Sequence, residues 1–160
     1  ERKARTKSAQ STRRGFMSAK GKCLCGRVQY TFTHRLSGLD VCHCKNCQRQ
    51  SGAAFVPFVA IPMVALQLTG SPKAFMDNDT ESGKTVARHF CGDCGSPLYV
   101  VVEAAPQTAY VAVGTLDDTH DLRPECHGWT ASKQEWIQIL DSATQHEFEP
   151  HLQPESTVPG

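Results

Sequence analysis

Seven of the eight cysteines fall into three tight groups, Cys23-Leu-Cys25-Gly26, Cys42-His-Cys44-Lys-Asn-Cys47 and Cys91-Gly-Asp-Cys94-Gly95, with Cys126 alone. Thiols one to three residues apart make awkward disulfide partners but natural chelators. A CxxC followed by glycine can form a turn whose backbone N–H groups point at both sulfurs. The first 22 residues hold no secretory h-region, so a reducing compartment is expected, the cytoplasm, where such spacing signals metal or redox chemistry rather than structural disulfides. Zinc is the expected metal. Iron–sulfur ligation competes, but the spacings do not follow the closely repeated CxxC runs of ferredoxins. A thioredoxin-like role for Cys91 and Cys94 would need a strand-to-helix junction in a βαβ unit, and no such alternation surrounds them.

Seven clustered ligands do not divide into two closed tetrahedra, which suggests one four-thiolate site and one three-thiolate site with an open fourth position. In the simplest partition Cys23, Cys25, Cys91 and Cys94 staple distant parts of the domain, and Cys42, Cys44 and Cys47 form a local tripod. In the alternative, Cys126 or one of His43, His89 and His127 supplies an eighth ligand and both metals are structural. Ligand arithmetic leaves both open. In an extended C-x-C the middle side chain points away from the metal, so His43 is expected behind the ligands or at the surface. Cys126 is expected as a buried free thiol, and His127 and Trp129 as packing residues.

The elements that must position these groups read as strands. Apolar residues alternate with period two at Val28, Tyr30, Phe32; Val64, Leu66, Leu68; Leu98, Val100, Val102; and Ala109, Val111, Val113. Gly70-Ser-Pro72, Asp77-Asn-Asp79 and Ala105-Pro106 punctuate them, giving many short strands and little room for helix. Lys45–Ser51 fits one or two helical turns after the tripod. Pro57 and Pro62 mark Phe55–Ile61 as an edge strand or irregular. The expected class is mainly β: a small, zinc-stapled domain of several short antiparallel sheets.

The chain has 160 residues, the size of one domain. Val, Leu, Ile and Phe are 20% of it, a thin supply for a core, so a metal brace fits. The cysteines are too sparse for a disulfide-built miniprotein, and no apolar run reaches the roughly 18 residues of a membrane span. The net charge of +1 conceals an uneven split, because residues 1–22 carry eight Lys or Arg against one acid. Residues 1–20 therefore read as a basic, solvated tail, 21–150 as the zinc domain and 151–160 as a C-terminal tail. Nucleic-acid or anionic-surface binding, or a mitochondrial transit segment, are the functional alternatives for the basic tail. Met17-Ser18-Ala19 has the look of an initiator, which would make the residues before it an upstream extension.

Four stretches carry a family resemblance: Cys23-Leu-Cys25-Gly26-Arg27-Val28-Gln29-Tyr30, Cys42-His-Cys44-Lys-Asn-Cys47-Gln48-Arg49, Ser51-Gly52-Ala53-Ala54-Phe55 and Phe90-Cys91-Gly-Asp-Cys94-Gly95-Ser96-Pro97-Leu98. Together they resemble the glutathione-dependent formaldehyde-activating family, which shares its domain with centromere protein V. The likeness runs on through Val113-Gly114-Thr115-Leu116-Asp117 and Trp136-Ile137-Gln138-Ile139-Leu140-Asp141, covering about residues 21–150. It implies a β-tent-like fold with two zincs, a structural one on Cys23, Cys25, Cys91 and Cys94 and a catalytic one on Cys42, Cys44 and Cys47. It also implies a carbon–sulfur lyase or synthase that joins glutathione to formaldehyde, giving S-hydroxymethylglutathione. Thiolate ligands suit such chemistry, since they leave a metal-bound sulfur nucleophilic. Glutathione brings two carboxylates, and Lys45 and Arg49 are the cations nearest the tripod in sequence, hence the expected substrate contacts. Two other readings stand beside this one. The first is a zinc-braced binding module whose basic tail contacts nucleic acid or an acidic partner. The second is an enzyme acting on another small thiol or electrophile, attractive if no cationic pocket surrounds the tripod. A membrane is not expected as a partner.

Overall fold

In the computed structural model, which describes residues 16–35 and 38–149, the period-two stretches pair into sheets. In chain order the strands are β1 (Phe16–Lys22), β2 (Gln29–Arg35), β3 (Leu39–Cys42), β4 (Val56–Pro62), β5 (Gln67–Thr69) and β6 (Lys73–Asp77). They continue with β7 (Val86–Phe90), β8 (Pro97–Val102), β9 (Thr108–Ala112), β10 (Pro124–Gly128) and β11 (Thr144–Gln145), and α1 (Lys45–Ser51) follows β3. The protein is mainly β, as the sequence implies. The described strands form a small sheet, β1-β2-β5, and an eight-stranded one, β11-β10-β3-β4-β9-β8-β7-β6. Neighbours run antiparallel except β10, which lies parallel to both β3 and β11. No hairpin joins β10 to β3, so nothing local dictates their relative direction.

An apolar cluster lies on each face of the large sheet. One face packs Val59, Ile61, Leu98, Ala109 and Val111 against Val28, Tyr30 and Phe32 beside the small sheet. The opposite face turns Phe58, Val86, Val100 and Tyr110 toward a second apolar cluster that includes Cys44 and Cys47. Every residue of β9 is buried in consequence, a continuous burial that alternation alone does not predict for an antiparallel strand.

Three expectations change. Val64–Leu68 is not one strand: Pro62 ends β4, Met63–Ala65 forms a 3-10 turn that leaves Val64 88% exposed, and only β5 pairs, with β2. The Phe55–Ile61 stretch is neither edge nor irregular, since β4 lies between β3 and β9. Its prolines are tolerated because Pro57 precedes the first pair with β9, Phe58 with Ala112, and Pro62 closes the ladder at Thr108; a missing N–H costs least at strand ends. Third, β1 takes in residues whose composition resembles the tail. Backbone pairing with β2 from Phe16↔Arg35 to Lys22↔Gln29 needs few apolar side chains, and Ala19 packs on the core.

Residues 1–15 and 150–160 lie outside the described residues, and with them the rest of the basic tail, the transit-segment alternative and the C-terminal tail. Among the described residues no helix is long and apolar enough to cross a membrane.

Candidate metal centre

The two sulfur clusters are built by different local means. Cys23 and Cys25 sit in the turn between β1 and β2, and Cys91 and Cys94 in the turn between β7 and β8. The turns mirror each other. Gly26 N–H donates to the Cys23 carbonyl at 3.0 Å and Gly95 N–H to the Cys91 carbonyl at 2.9 Å, and both glycines take φ 75°, where a side chain would be strained. The four sulfurs come within 4.8 Å of one another. Val28 N–H points at Cys23 Sγ at 3.3 Å. Burial pushes the Cys23 thiol up, yet that N–H and the Cys25 and Cys91 thiols hold it below its ordinary value. The Ser96 hydroxyl and backbone N–H pull Cys94 down to about 5. Such donors favour thiolates, the form a metal binds.

The three-thiol cluster is local. Cys42 ends β3, Cys44 is the N-cap of α1 with φ −62° and ψ 151°, and Cys47 lies in the first helical turn. Cys44 Sγ accepts from Cys47 N–H at 3.3 Å, doing for the helix what a Ser or Asp cap would. Gly52 in the left-handed region stops the helix after two turns. The three sulfurs lie within 4.8 Å of one another, and no fourth His, Cys, Asp or Glu among the described residues joins them. Hydrogen bonds from the Cys42 and Cys47 thiols hold Cys44 well below its ordinary value, and Cys42 is pushed up by the same crowding. Three thiols at this spacing cannot all ionise without a cation between them.

The residues considered as an eighth ligand are engaged elsewhere. His43 is fully buried, its Nε2 lies 2.9 Å from His127 Nδ1, and His127 Nε2 lies 3.1 Å from Asp141 Oδ2. The C-x-C middle residue thus sits behind the ligands rather than at the surface. Cys126 is buried and donates to Asp40 Oδ1 at 3.0 Å. His89 stacks on Tyr99 with centroids 4.2 Å apart.

A cavity of about 880 Å³ opens on Cys42, Cys44 and Cys47, within the range of roughly 300–1,000 Å³ that small-molecule sites occupy. Phe58, Val86, Val100 and Tyr110 form its apolar wall, and the loop from Thr80 to Lys84 with Ser132 its polar side. Trp129 borders it at φ 60°, a conformation that bulky residues adopt only where surroundings enforce it. Sequence reasoning missed the cations here. Arg88 on β7 is buried, donates from Nε to Asp77 Oδ2 at 2.7 Å, and brings Nη1 to 3.7 Å from Cys47 Sγ. Asn46 Nδ2 holds the same Asp77 oxygen at 2.8 Å. Lys84 lines the cavity as well and pairs with Glu149 at 2.8 Å. The available signal was an arginine two residues from Val86, on the inward parity of a strand. Lys45 and Arg49 line a separate shallow depression with Gln134 and Trp136, and neither is part of the tripod's cavity wall.

The sequence model of the family described as "Glutathione-dependent formaldehyde-activating enzyme" matches residues 18–132. A Halomonas elongata protein that carries the provisional name of a glutathione-dependent formaldehyde-activating enzyme is 24% identical over 131 residues, covering 77% of this chain and 82% of its own. A crystallised Rhodobacter sphaeroides protein shares the fold at a TM-score of 0.50 and 21% identity, over 64% of this chain and 91% of its own.

Proposed function

The chain belongs to the glutathione-dependent formaldehyde-activating enzyme family, and on that premise we propose that it is a zinc-dependent carbon–sulfur lyase or synthase of the S-(hydroxymethyl)glutathione synthase type. It joins a thiol, glutathione, to formaldehyde or a related small electrophile. One observation carries the reading: the three-thiol cluster lacks a fourth side-chain donor among the described residues and opens on the large cavity, while the four-thiol cluster is complete and lies away from that cavity. Cys23, Cys25, Cys91 and Cys94 would hold a bracing zinc, and Cys42, Cys44 and Cys47 the working one. The donor sets fit, being thiols alone at chelating distance. A zinc bound by the three cysteines would let a substrate thiol shed its proton near neutral pH yet stay nucleophilic.

The remaining work falls to the chain. A free thiol titrates near pH 8.5 and is mostly protonated at pH 7, so the cysteines must be brought together before substrate arrives: the end of β3 carries Cys42, and the cap bond ties Cys44 to Cys47. Phe58, Val100 and Tyr110 keep bulk water from one side of the site, which disfavours aldehyde hydration in competition with sulfur attack. Lys84 is the rim cation within reach of a glutathione carboxylate. Its pairing with Glu149, and that of Arg88 with Asp77, favour a second reading in which a smaller thiol takes the place of glutathione. The need to keep seven thiols reduced matches a reducing compartment such as the cytoplasm.

Zinc-replete protein should accelerate exchange between free formaldehyde and the glutathione adduct, seen as exchange cross-peaks by NMR, and Cys42→Ser should abolish the acceleration. A zinc-replete protein that leaves the spontaneous exchange rate unchanged for glutathione and for smaller thiols would refute the proposal.

A further inference from the structure

When a thiolate adds to a carbonyl, the carbon–sulfur bond forms as the π electrons move onto oxygen, and a buried site must meet that charge with donors already in place. The cysteine sulfurs are acceptors, His43 is bonded to His127, and Lys84 is held by Glu149 at the rim. Arg88 is different. Its side chain is 6% exposed, yet it borders the cavity beside Cys47. Nε donates to Asp77 and Nη1 to Gln50 Oε1 at 3.0 Å, with Cys47 Sγ 3.7 Å away, so two edges of the planar guanidinium are pinned. Asp77 is in turn held by Asn46, from the helix that carries Cys47. Nη2 and its two N–H groups bond to no described residue, in a side chain whose other nitrogens are all engaged.

We propose that Arg88 Nη2 is the donor that receives the substrate's oxygen anion, which makes Arg88 a catalytic residue beside the three cysteines. The inference rests on the carbon–sulfur reading above. A guanidinium keeps its protons at neutral pH, so it stabilises the alkoxide without protonating it. The proton that completes the hydroxymethyl group comes from solvent, matching the one the thiol released to solvent. In reverse, the hydroxyl loses its proton to solvent, the C=O bond reforms, the C–S bond breaks and the thiolate leaves, with Arg88 again holding the oxygen in between.

Two variants test this. Arg88→Gln removes the donor but leaves Asp77 unpaired, and the double variant Arg88→Gln, Asp77→Asn removes the donor while keeping the buried site neutral. Both should lose about 10²- to 10³-fold in kcat/KM, the usual effect of deleting an oxyanion donor, with two zincs retained and the double variant melting near the wild type. Arg88→Lys should recover part of the loss. A binding measurement needs no turnover: by calorimetry, zinc-replete wild type should bind thioglycolate, whose carboxylate lies next to its sulfur-bearing carbon, about tenfold more tightly than 2-mercaptoethanol, and the double variant should lose that preference. A double variant that keeps kcat/KM within threefold, or keeps the thioglycolate preference, overturns the role of Arg88. A wild type that catalyses no exchange yet shows an Arg88-dependent preference refutes the carbon–sulfur reading alone and keeps the anion site.

Discussion

Replacing one thiol in each cluster should separate bracing from chemistry. Cys25 and Cys91 are 66 residues apart in sequence, with sulfurs 3.7 Å apart. Treated as a cross-link, closure of a loop that long removes unfolded-chain entropy worth about 4 kcal/mol, against about 2 kcal/mol for the short Cys42-to-Cys47 span. Cys91 is also fully buried in the main core, where a serine hydroxyl without a partner adds about 1–3 kcal/mol. Cys91→Ser therefore stands to lose roughly 5–7 kcal/mol, as much as the whole stability of many domains. Cys42 is only half-buried at the end of a strand, so Cys42→Ser adds little to its closure cost. At about 3 °C per kcal/mol for a chain of this size, circular-dichroism melts should show Cys91→Ser down by at least about 15 °C or already unfolded, and Cys42→Ser down by about 6 °C. Each variant should carry one zinc in place of two. Equal losses of melting temperature would refute the division into a staple and a working site.

The buried ion pair and the outlying cations give further checks. Burial pushes the Asp77 carboxyl up, but Asn46 and the Arg88 guanidinium outweigh it and hold the group below its ordinary value. A carboxyl depressed in the folded state contributes stability that is present above its unfolded pKa, about 3.9, and fades as pH falls through the lower folded value. Asp77→Asn should cost about 3–5 kcal/mol near pH 7, because it strands a buried arginine, and the gap to wild type in urea unfolding should narrow below about pH 4. A gap that stays constant down to pH 3 would show that the pair is not what the substitution disturbs. Lys45→Ala and Arg49→Ala should each leave kcat/KM for thiol and aldehyde within about twofold, since both side chains line a depression apart from the tripod's cavity; a tenfold loss would place substrate on that side of α1.

Much of the architecture was legible because cysteine spacing and strand parity are local properties. Lys45–Ser51 forms the helix its position after the tripod suggested, and Cys44 caps it with sulfur. Counting suggested a four-and-three division of the seven thiols while leaving an eighth ligand open, and the folded chain brings together groups of four and three. What could not be read depended on partners distant in sequence. β4 looked like an edge because it holds two prolines, and only its pairing with β9 places Pro57 just before that ladder begins and Pro62 at its end. Lys45 and Arg49 are the cations nearest the tripod in sequence, yet they line a different depression. Arg88 takes the place beside Cys47 because β7 lies two strands from β9 in the sheet and faces the helix.

Strand parity also explains how one short motif serves two purposes. The ladder continues one residue past β3, where His43 N–H donates to the Gly128 carbonyl at 3.0 Å, so the backbone is still extended between Cys42 and Cys44. Side chains in an extended segment alternate faces. Cys42 and Cys44 accordingly border the cavity, while His43 is fully buried against His127 and Phe55 and borders none of it. A slip of one residue against β4 would exchange these positions, placing two thiols in the packed interior and an imidazole in the cavity. What prevents the slip is that the same parity puts Val41 into the main core opposite Pro57, and Asp40 opposite Phe58 on the cavity side. The three-thiol site is therefore held in register by the apolar pattern of β3 and β4, and its geometry should survive substitution of any one cysteine far better than a charged residue placed at Val41.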